Sequence, residues 1–273
     1  MKSDKTDLFI AIDIGNTHTV IGIYEKDKIL VDCRLKSERP LTKINIYKKI
    51  QVLLADAGMT NKKIDGIGIS SVVPHLTNAY SVMAKKYFQQ TPMIVSSELN
   101  LGINILIDNP ATLGADRICN AIAGYSKFGG PLIIVDFGTA TTYDVIASNG
   151  DYLGGVIAPG IATAGFSLHS RTAQLPLLSE TSLRLPKTVI GTNTISSMQA
   201  GILLGAVDAM TGMVKRIQKE LLSHRQKKAM VIATGGFSSF IAQQTRIIQH
   251  MEPALVLDGI RLIYHRIKDS RGN

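Results

Sequence analysis

Two stretches of this chain place an acid where a strand would end. They are Ile10-Ala11-Ile12-Asp13-Ile14-Gly15-Asn16-Thr17-His18-Thr19 and Ile133-Ile134-Val135-Asp136-Phe137-Gly138-Thr139-Ala140-Thr141-Thr142. Each runs apolar into Asp-x-Gly and then into small hydroxyl or amide residues. A carboxylate there can hold a hard cation, directly or through water. The glycine lets backbone approach a ligand closely, and Thr and Asn add hydroxyl and amide donors. Strand, acid and small donors together suit a metal-bound polyphosphate. The two aspartates lie almost half the chain apart, so the pattern reads as a duplicated phosphate-handling fold.

Three further segments could do chemistry. Gly114-Ala115-Asp116-Arg117 opens a helical stretch over 118–125. A carboxylate there can accept a proton from an alcohol and a guanidinium can clamp an anion, while helix capping by Asp116 is the simpler reading. Thr234-Gly235-Gly236-Phe237-Ser238 ends an apolar strand. Its glycine pair either admits a nucleotide against the backbone or makes a strand-to-helix turn. Gly154-Gly155-Val156-Ile157-Ala158-Pro159-Gly160 poses the same choice. His18 sits in the first turn and could donate to a phosphate. His75, His169, His224, His250 and His265 are dispersed without metal-ligand spacing. Neither a Walker loop, a dinucleotide fingerprint nor a nucleophile elbow occurs, so any ATP use follows the aspartate-glycine route.

The elements that must position these residues follow from periodicity. Strands are expected up to Asp13, over 20–24 and over 29–35, followed by a helix over 44–57 stopped at Gly58. A strand over 64–73, a helix over 76–89 and a short strand over 93–95 complete the first half. The second half restarts with strands over 132–136, 142–147 and 152–158 and a helix over 161–175. A long helix over 196–222 carries Gly201, Gly205 and Gly212 at near-helical spacing, which reads as close helix packing. A last strand covers 230–234. Three strands in a meander, then helices and parallel strands, indicate an α/β unit. At 273 residues the chain has room for two such domains, placed at 1–125 and 126–273.

With 45% hydrophobic and 19% charged residues the composition is that of a folded protein. Uninterrupted apolar runs fall short of the roughly 18–20 residues that cross a bilayer. The N-terminus leads directly into the first strand and lacks a cleavage site, so no signal peptide is read. Cys33 and Cys119 are too few for a disulfide framework or zinc site, which suits a reduced, cytoplasmic protein without a membrane role. The net charge of +9 is scattered; Lys62-Lys63, Lys85-Lys86 and the stretch 224–228 lack interleaved aromatics, and there is no Trp. Nucleic acid is therefore not expected as a partner.

Taken together, the motifs resemble the type III pantothenate kinases, a branch of the actin, sugar-kinase and heat-shock ATPase superfamily. To the segments above, the resemblance adds Arg171-Thr172-Ala173-Gln174-Leu175-Pro176, Ile190-Gly191-Thr192-Asn193-Thr194 and Met198-Gln199-Ala200-Gly201. All occur in the family's order. The resemblance implies two similar ribonuclease H-like domains, actin-like ATPase in type, with a cleft between them. It implies phosphorylation of pantothenate by ATP, the first step of coenzyme A synthesis, in a homodimer. Asp116 would be the base for the pantothenate hydroxyl, and Gly114, Ala115, Arg117 and Thr194 would hold that substrate. Asp13, Ile14, Gly15, Asn16, Thr17, His18, Thr19 and Val20 would form the ATP phosphate turn, with Asp13 near Mg²⁺ and Thr139 also touching ATP. Asp136 would bind a monovalent cation, K⁺ or NH₄⁺. Two positions depart from the family pattern: Ile107 stands where a tyrosine is usual, and Thr112 where an acid is usual. A non-catalytic accessory transcription factor of the same family is the rival reading, as is a related small-molecule phosphotransferase.

Overall fold

The protein is described by a computed structural model covering residues 8–37, 42–60, 62–225 and 227–271. The N-terminal lead 1–7 and Gln226 of the basic stretch lie outside the described residues. The chain divides into two compact units. One holds the described residues up to 126 together with those from 254 onward, and the other holds 127–253.

In the first unit β1 (Leu8–Ile14), β2 (His18–Glu25), β3 (Lys28–Lys36), β4 (Ile64–Ser71) and β5 (Met93–Ile94) form one sheet in the order β3-β2-β1-β4-β5. The first three strands are antiparallel neighbours, and β4 and β5 add in parallel. The second unit repeats this with β6 (Leu132–Phe137), β7 (Ala140–Ile146), β8 (Tyr152–Pro159), β9 (Met230–Thr234) and β10 (His250–Met251), in the order β10-β9-β6-β7-β8. Its pairings have the same directions. The duplication read from two ten-residue segments therefore extends to a whole five-stranded sheet in each unit.

Central strands of such sheets are covered on both faces, which is why β1 is a continuous apolar run and not an alternating one. On one face Ile10, Ile12, Ile14, Ile21, Ile23, Ile67 and Ile69 pack against α1 (Lys43–Asp56) through Ile46, Ile50, Leu53 and Leu54, and against α2 (Pro74–Met83) through Leu76, Tyr80 and Met83. Thr42 caps α1, its hydroxyl accepting from the Asn45 N–H at 3.3 Å. Gly58, at φ +71°, ends the helix as expected. Beyond α2 the chain widens into a π-helical turn, Ala84–Phe88, so the single helix expected over 76–89 is α-helical only to Met83.

The opposite face is covered by α8 (Leu255–Arg271), the C-terminal helix. Sequence order would place it in the second half, yet it packs on the first sheet. The sheet is built for it: a Cβ on Gly66 would lie 2.2 Å from the Tyr264 ring, and one on Gly68 2.4 Å from Ile260. Only bare backbone on β4 allows the helix so close. Phe9 and Tyr264 rings meet at 4.7 Å, and the Tyr264 hydroxyl donates to the Asp65 carbonyl at 2.9 Å. Buried Tyr24 donates to the Asp258 carboxylate at 2.7 Å, and Arg261 pairs with Asp27. Burial, then the Asp258 charge, pushes the Tyr24 phenol far above its ordinary range.

In the second unit α4 (Ile161–Arg171), shorter than the expected 161–175, follows the meander. A long helical run follows: α5 (Thr194–Gln199), a π-helical turn Ala200–Leu204 and α6 (Gly205–Ser223). Met198, Ile202, Leu203, Val207, Met210, Val214, Ile217 and Leu221 enter the core over Ile133, Val135 and Val231. This run, Thr194–Ser223, is long and apolar enough by length and composition to cross a membrane. Here its apolar residues recur at helical spacing and are absorbed by the sheet. The glycines expected to mark tight helix packing do not do so within the chain: an added Cβ on Gly201, Gly205 or Gly212 meets nothing within 4 Å. They lie off the core-facing stripe. Short α7 (Ser238–Ala242) follows β9.

Two measurements probe the α8 seat. Tyr24→Phe removes the donor to Asp258 and should lower the unfolding free energy by about 1–3 kcal/mol in chemical denaturation; an unchanged midpoint would contradict this role. His265, beside Phe9 and Tyr264 on α8, has its pKa lowered by burial first and then by Arg261 and Lys268. The unfolded chain therefore takes up this proton first as pH falls below about 6.5, and stability declines until pH passes the lower folded value. In His265→Gln that part of the acid decline should be absent, as read by denaturation midpoints across the pH range.

Candidate active site

Asp13 is the penultimate residue of β1 and pairs in register with Ser70 on β4 and with Val20 on β2. It is half-buried, whereas Ser70 is fully buried and donates its hydroxyl to the Asp13 carboxylate at 2.9 Å. That bond offsets part of the cost of placing a charge beside an apolar strand. The β1–β2 turn is closed by the Gly15 N–H donating to the His18 carbonyl at 2.9 Å. The eight residues picked from the sequence then divide. Ile14 and Thr19 are buried in the unit, and the Thr19 hydroxyl meets that of Ser37 at 3.0 Å. Asn16 is exposed, and Gly15, Thr17, His18 and Val20 are half-buried. His18 Nδ1 lies 2.9 Å from Nη2 of Arg34.

The second acid of this unit opens α3 (Ala115–Phe128). A 3-10 turn, Pro110–Thr112, capped by the Asn109 side chain, delivers the chain to Gly114; the Thr112 hydroxyl donates to the Asn109 carbonyl at 2.7 Å. Thr112 thus serves the turn, and Ile107 lies half-buried before it. The Asp116 carboxylate accepts from the Arg117 N–H at 2.8 Å. It folds back so far that a Cβ on Gly114 would sit 2.4 Å from its Oδ1. Ala115 is buried and Arg117 half-buried. Asp116 thus takes up an N–H from within the first turn, while the cap position falls to Gly114, whose carbonyl accepts from the Ile118 N–H at 3.1 Å.

One turn further on, Cys119 is fully buried, and its thiol is pushed well above the ordinary range. Burial contributes most, then the charges of Asp13 and Asp116, with a bond to Ser70 opposing. A thiol so held is inert as a nucleophile. Its surroundings are informative, because they bring the end of β1, the end of β4 and the start of α3 into one neighbourhood. The charges of Asp13 and Asp116, chosen separately from the sequence, both act on that one thiol. Ser70 and Cys119 were not chosen. The signal for Ser70 was its place at the end of an apolar strand, matching Thr234 at the end of β9.

The second unit builds the equivalent corner differently. Asp136 is half-buried near the end of β6, in register with Thr234 on β9 and Thr142 on β7. Its turn is one residue shorter, since Asp13 pairs with Val20 but Asp136 with Thr142, six positions on. The Thr139 carbonyl accepts from the Gly160 N–H at 3.2 Å and the Thr163 hydroxyl at 2.6 Å, tying the turn to the start of α4. A Cβ on Gly160 would lie 2.3 Å from the Gly138 carbonyl, and one on Gly235, at φ +86°, 2.4 Å from Asp136 Oδ1. Gly235 is thus explained by contact with Asp136 and by the turn into α7, where the Ser238 hydroxyl donates to its carbonyl at 2.8 Å. Gly154, at φ +136°, sits by a register shift inside β8, and the turn is made by Pro159-Gly160 at the end of that strand. Thr194 is exposed at the start of α5, behind a capping box made by Asn193 and Ser196.

Among the described residues no group of three or more His, Cys, Asp or Glu could hold a metal ion. The donors around each turn are oxygen: Asp13 with Ser70, and Asp136 with the Thr142 and Thr234 positions. Such sets fit hard cations that complete their shell with phosphate or water.

Comparison with known proteins bears on the fold and the family. A solved structure of a Campylobacter jejuni protein assigned to the Baf family of transcriptional activators is 22% identical, covers 97% of this chain and 100% of its own, and has a TM-score of 0.57. MreB 5 of Spiroplasma citri, solved with AMPPNP, is 12% identical, covers 98% of this chain and 99% of its own, with a TM-score of 0.54. At these identities the likeness is one of fold, the two-domain actin-like ATPase fold. A type III pantothenate kinase of Bacillus cytotoxicus is 41% identical over 259 residues, covering 95% of this chain and 96% of that relative. The family model for type III pantothenate kinase matches residues 9–216, a span that includes both Asp-x-Gly turns and the start of α3, and the chain belongs to that family.

Proposed function

We propose that this chain transfers the terminal phosphoryl group of ATP to the primary hydroxyl of pantothenate, giving 4'-phosphopantothenate for coenzyme A synthesis. The observation that carries this reading is that a member of the family has all three acids, Asp13, Asp116 and Asp136, with the charges of two of them acting on one buried thiol. A regulator without catalysis would have no use for that set, so the transcription-factor reading is not favoured.

Phosphoryl transfer is mostly positioning and charge neutralisation, so the roles divide among donors and cations. Asp116 is the residue that orients the pantothenate hydroxyl and accepts its proton. Its second oxygen is suited to this, since Oδ1 accepts from the Arg117 N–H. Arg117 offers a paired guanidinium to the pantothenate carboxylate, with Gly114 and Ala115 leaving room at the helix start. The turn from Asp13 to Val20 receives the ATP phosphates through its backbone and the exposed Asn16, and Thr139 contacts ATP from the second turn. Asp13 would hold Mg²⁺, and Asp136 would hold K⁺ or NH₄⁺. When bound, these ions offset charge on the transferring phosphoryl group.

We read the enzyme as a cytoplasmic homodimer in which Thr194 reaches the pantothenate bound by a partner subunit. Support comes from the second unit, where Ile157, Phe166, Leu177, Val189, Ile190 and Ile195 are exposed. The bare glycine face at Gly201 and Gly205 also gives a second backbone room to approach. An apolar surface of that kind marks an interaction site.

The test is steady-state kinetics of Asp116→Asn. The variant should lose turnover by about 100-fold or more, with a smaller change in the KM for pantothenate. Unchanged turnover would remove Asp116 from the mechanism.

A further inference from the structure

Register across the first sheet aligns more than the two strands that carry the Asp-x-Gly turn. Ser70 pairs with Asp13, Asp13 with Val20 and Val20 with Arg34. These four residues form one row across β4, β1, β2 and β3. Paired residues share a sheet face, so Arg34 lies on the face of Asp13 and Ser70, opposite the α1 and α2 core. Two strand spacings put its Cα about 10 Å from that of Asp13. His18, two residues before Val20, shares this face and pairs with Lys36. The face at the mouth of the first turn is therefore basic, with Arg34 and Lys36 beside His18.

Arg34 does more than add charge. Its Nη2 is 2.9 Å from His18 Nδ1, and a guanidinium can only donate. Nδ1 is then the acceptor, and the neutral ring carries its proton on Nε2. We propose that Arg34 is a positioning residue for ATP, fixing His18 in the tautomer whose Nε2–H donates to a phosphate oxygen of the bound nucleotide. The proposal rests on the reading of the Asp13 to Val20 turn as the ATP site. Arg34 itself is exposed, and its fork has donors left for the same polyphosphate.

The test combines kinetics with a spectroscopic readout of the ligand-free protein. Arg34→Leu should raise the KM for ATP about tenfold, the worth of one charge-assisted contact, and leave the KM for pantothenate unaltered. Arg34→Lys, which keeps the charge on a single donor nitrogen, should recover part of the loss. Long-range ¹⁵N spectra of the wild type should give the Nε2–H tautomer for His18, turning to a mixture in Arg34→Leu. A wild-type ring protonated on Nδ1 overturns the proposal. So does a KM for ATP that is unmoved in Arg34→Leu but raised in His18→Ala. If His18→Ala and Thr17→Ala both leave the KM for ATP unmoved, the turn is not the ATP site, and the proposal falls with the reading beneath it.

Discussion

Each sheet hangs on one central strand that is apolar on both faces and then ends in an acid. In β1, Leu8, Ile10, Ala11, Ile12 and Ile14 are wholly buried, and Asp13 alone reaches partly into solvent. β6 repeats the pattern up to Asp136. A carboxylate beside such a run is tolerated only with polar partners, which the neighbouring parallel strand supplies in register. Ser70 does so directly, and Thr234 stands in the same place. The parallel pairing therefore fixes both the core and the position of the acids.

The two corners share a plan but are not copies. The first has the longer turn and the start of α3, where a second acid, Asp116, adds its charge to that of Asp13 at Cys119. The second has a turn clamped at Thr139 by Gly160 and Thr163, and an acid packed against Gly235. The two corners thus surround their acids with different partners. This asymmetry underlies the proposed roles, with Asp13 on the Mg-ATP side and Asp136 on the monovalent cation.

What was legible in the sequence was local. Both Asp-x-Gly turns, the meanders and the α3 start follow from short runs whose residue types act on their own backbone. The seat of α8 was not legible, because the glycines of β4 that admit it, Gly66 and Gly68, have meaning only once the helix lies over them. Ser70, Cys119 and Arg34 escaped for a related reason. Their importance depends on which strands and helix ends lie side by side in the fold, and a single chain does not display that placement. The glycines of the long helix misled in the other direction: helical spacing marks a face but not what covers it.

The unequal roles of the two aspartates are the centre of this account, and ion placement tests them most directly. Crystals grown with a non-hydrolysable ATP analogue, Mn²⁺ and Tl⁺ would report both sites by anomalous scattering. The account predicts a manganese peak at the Asp13 carboxylate shared with the phosphates, and a thallium peak at Asp136. Thallium at Asp13, manganese at Asp136, or no thallium near Asp136 would contradict it.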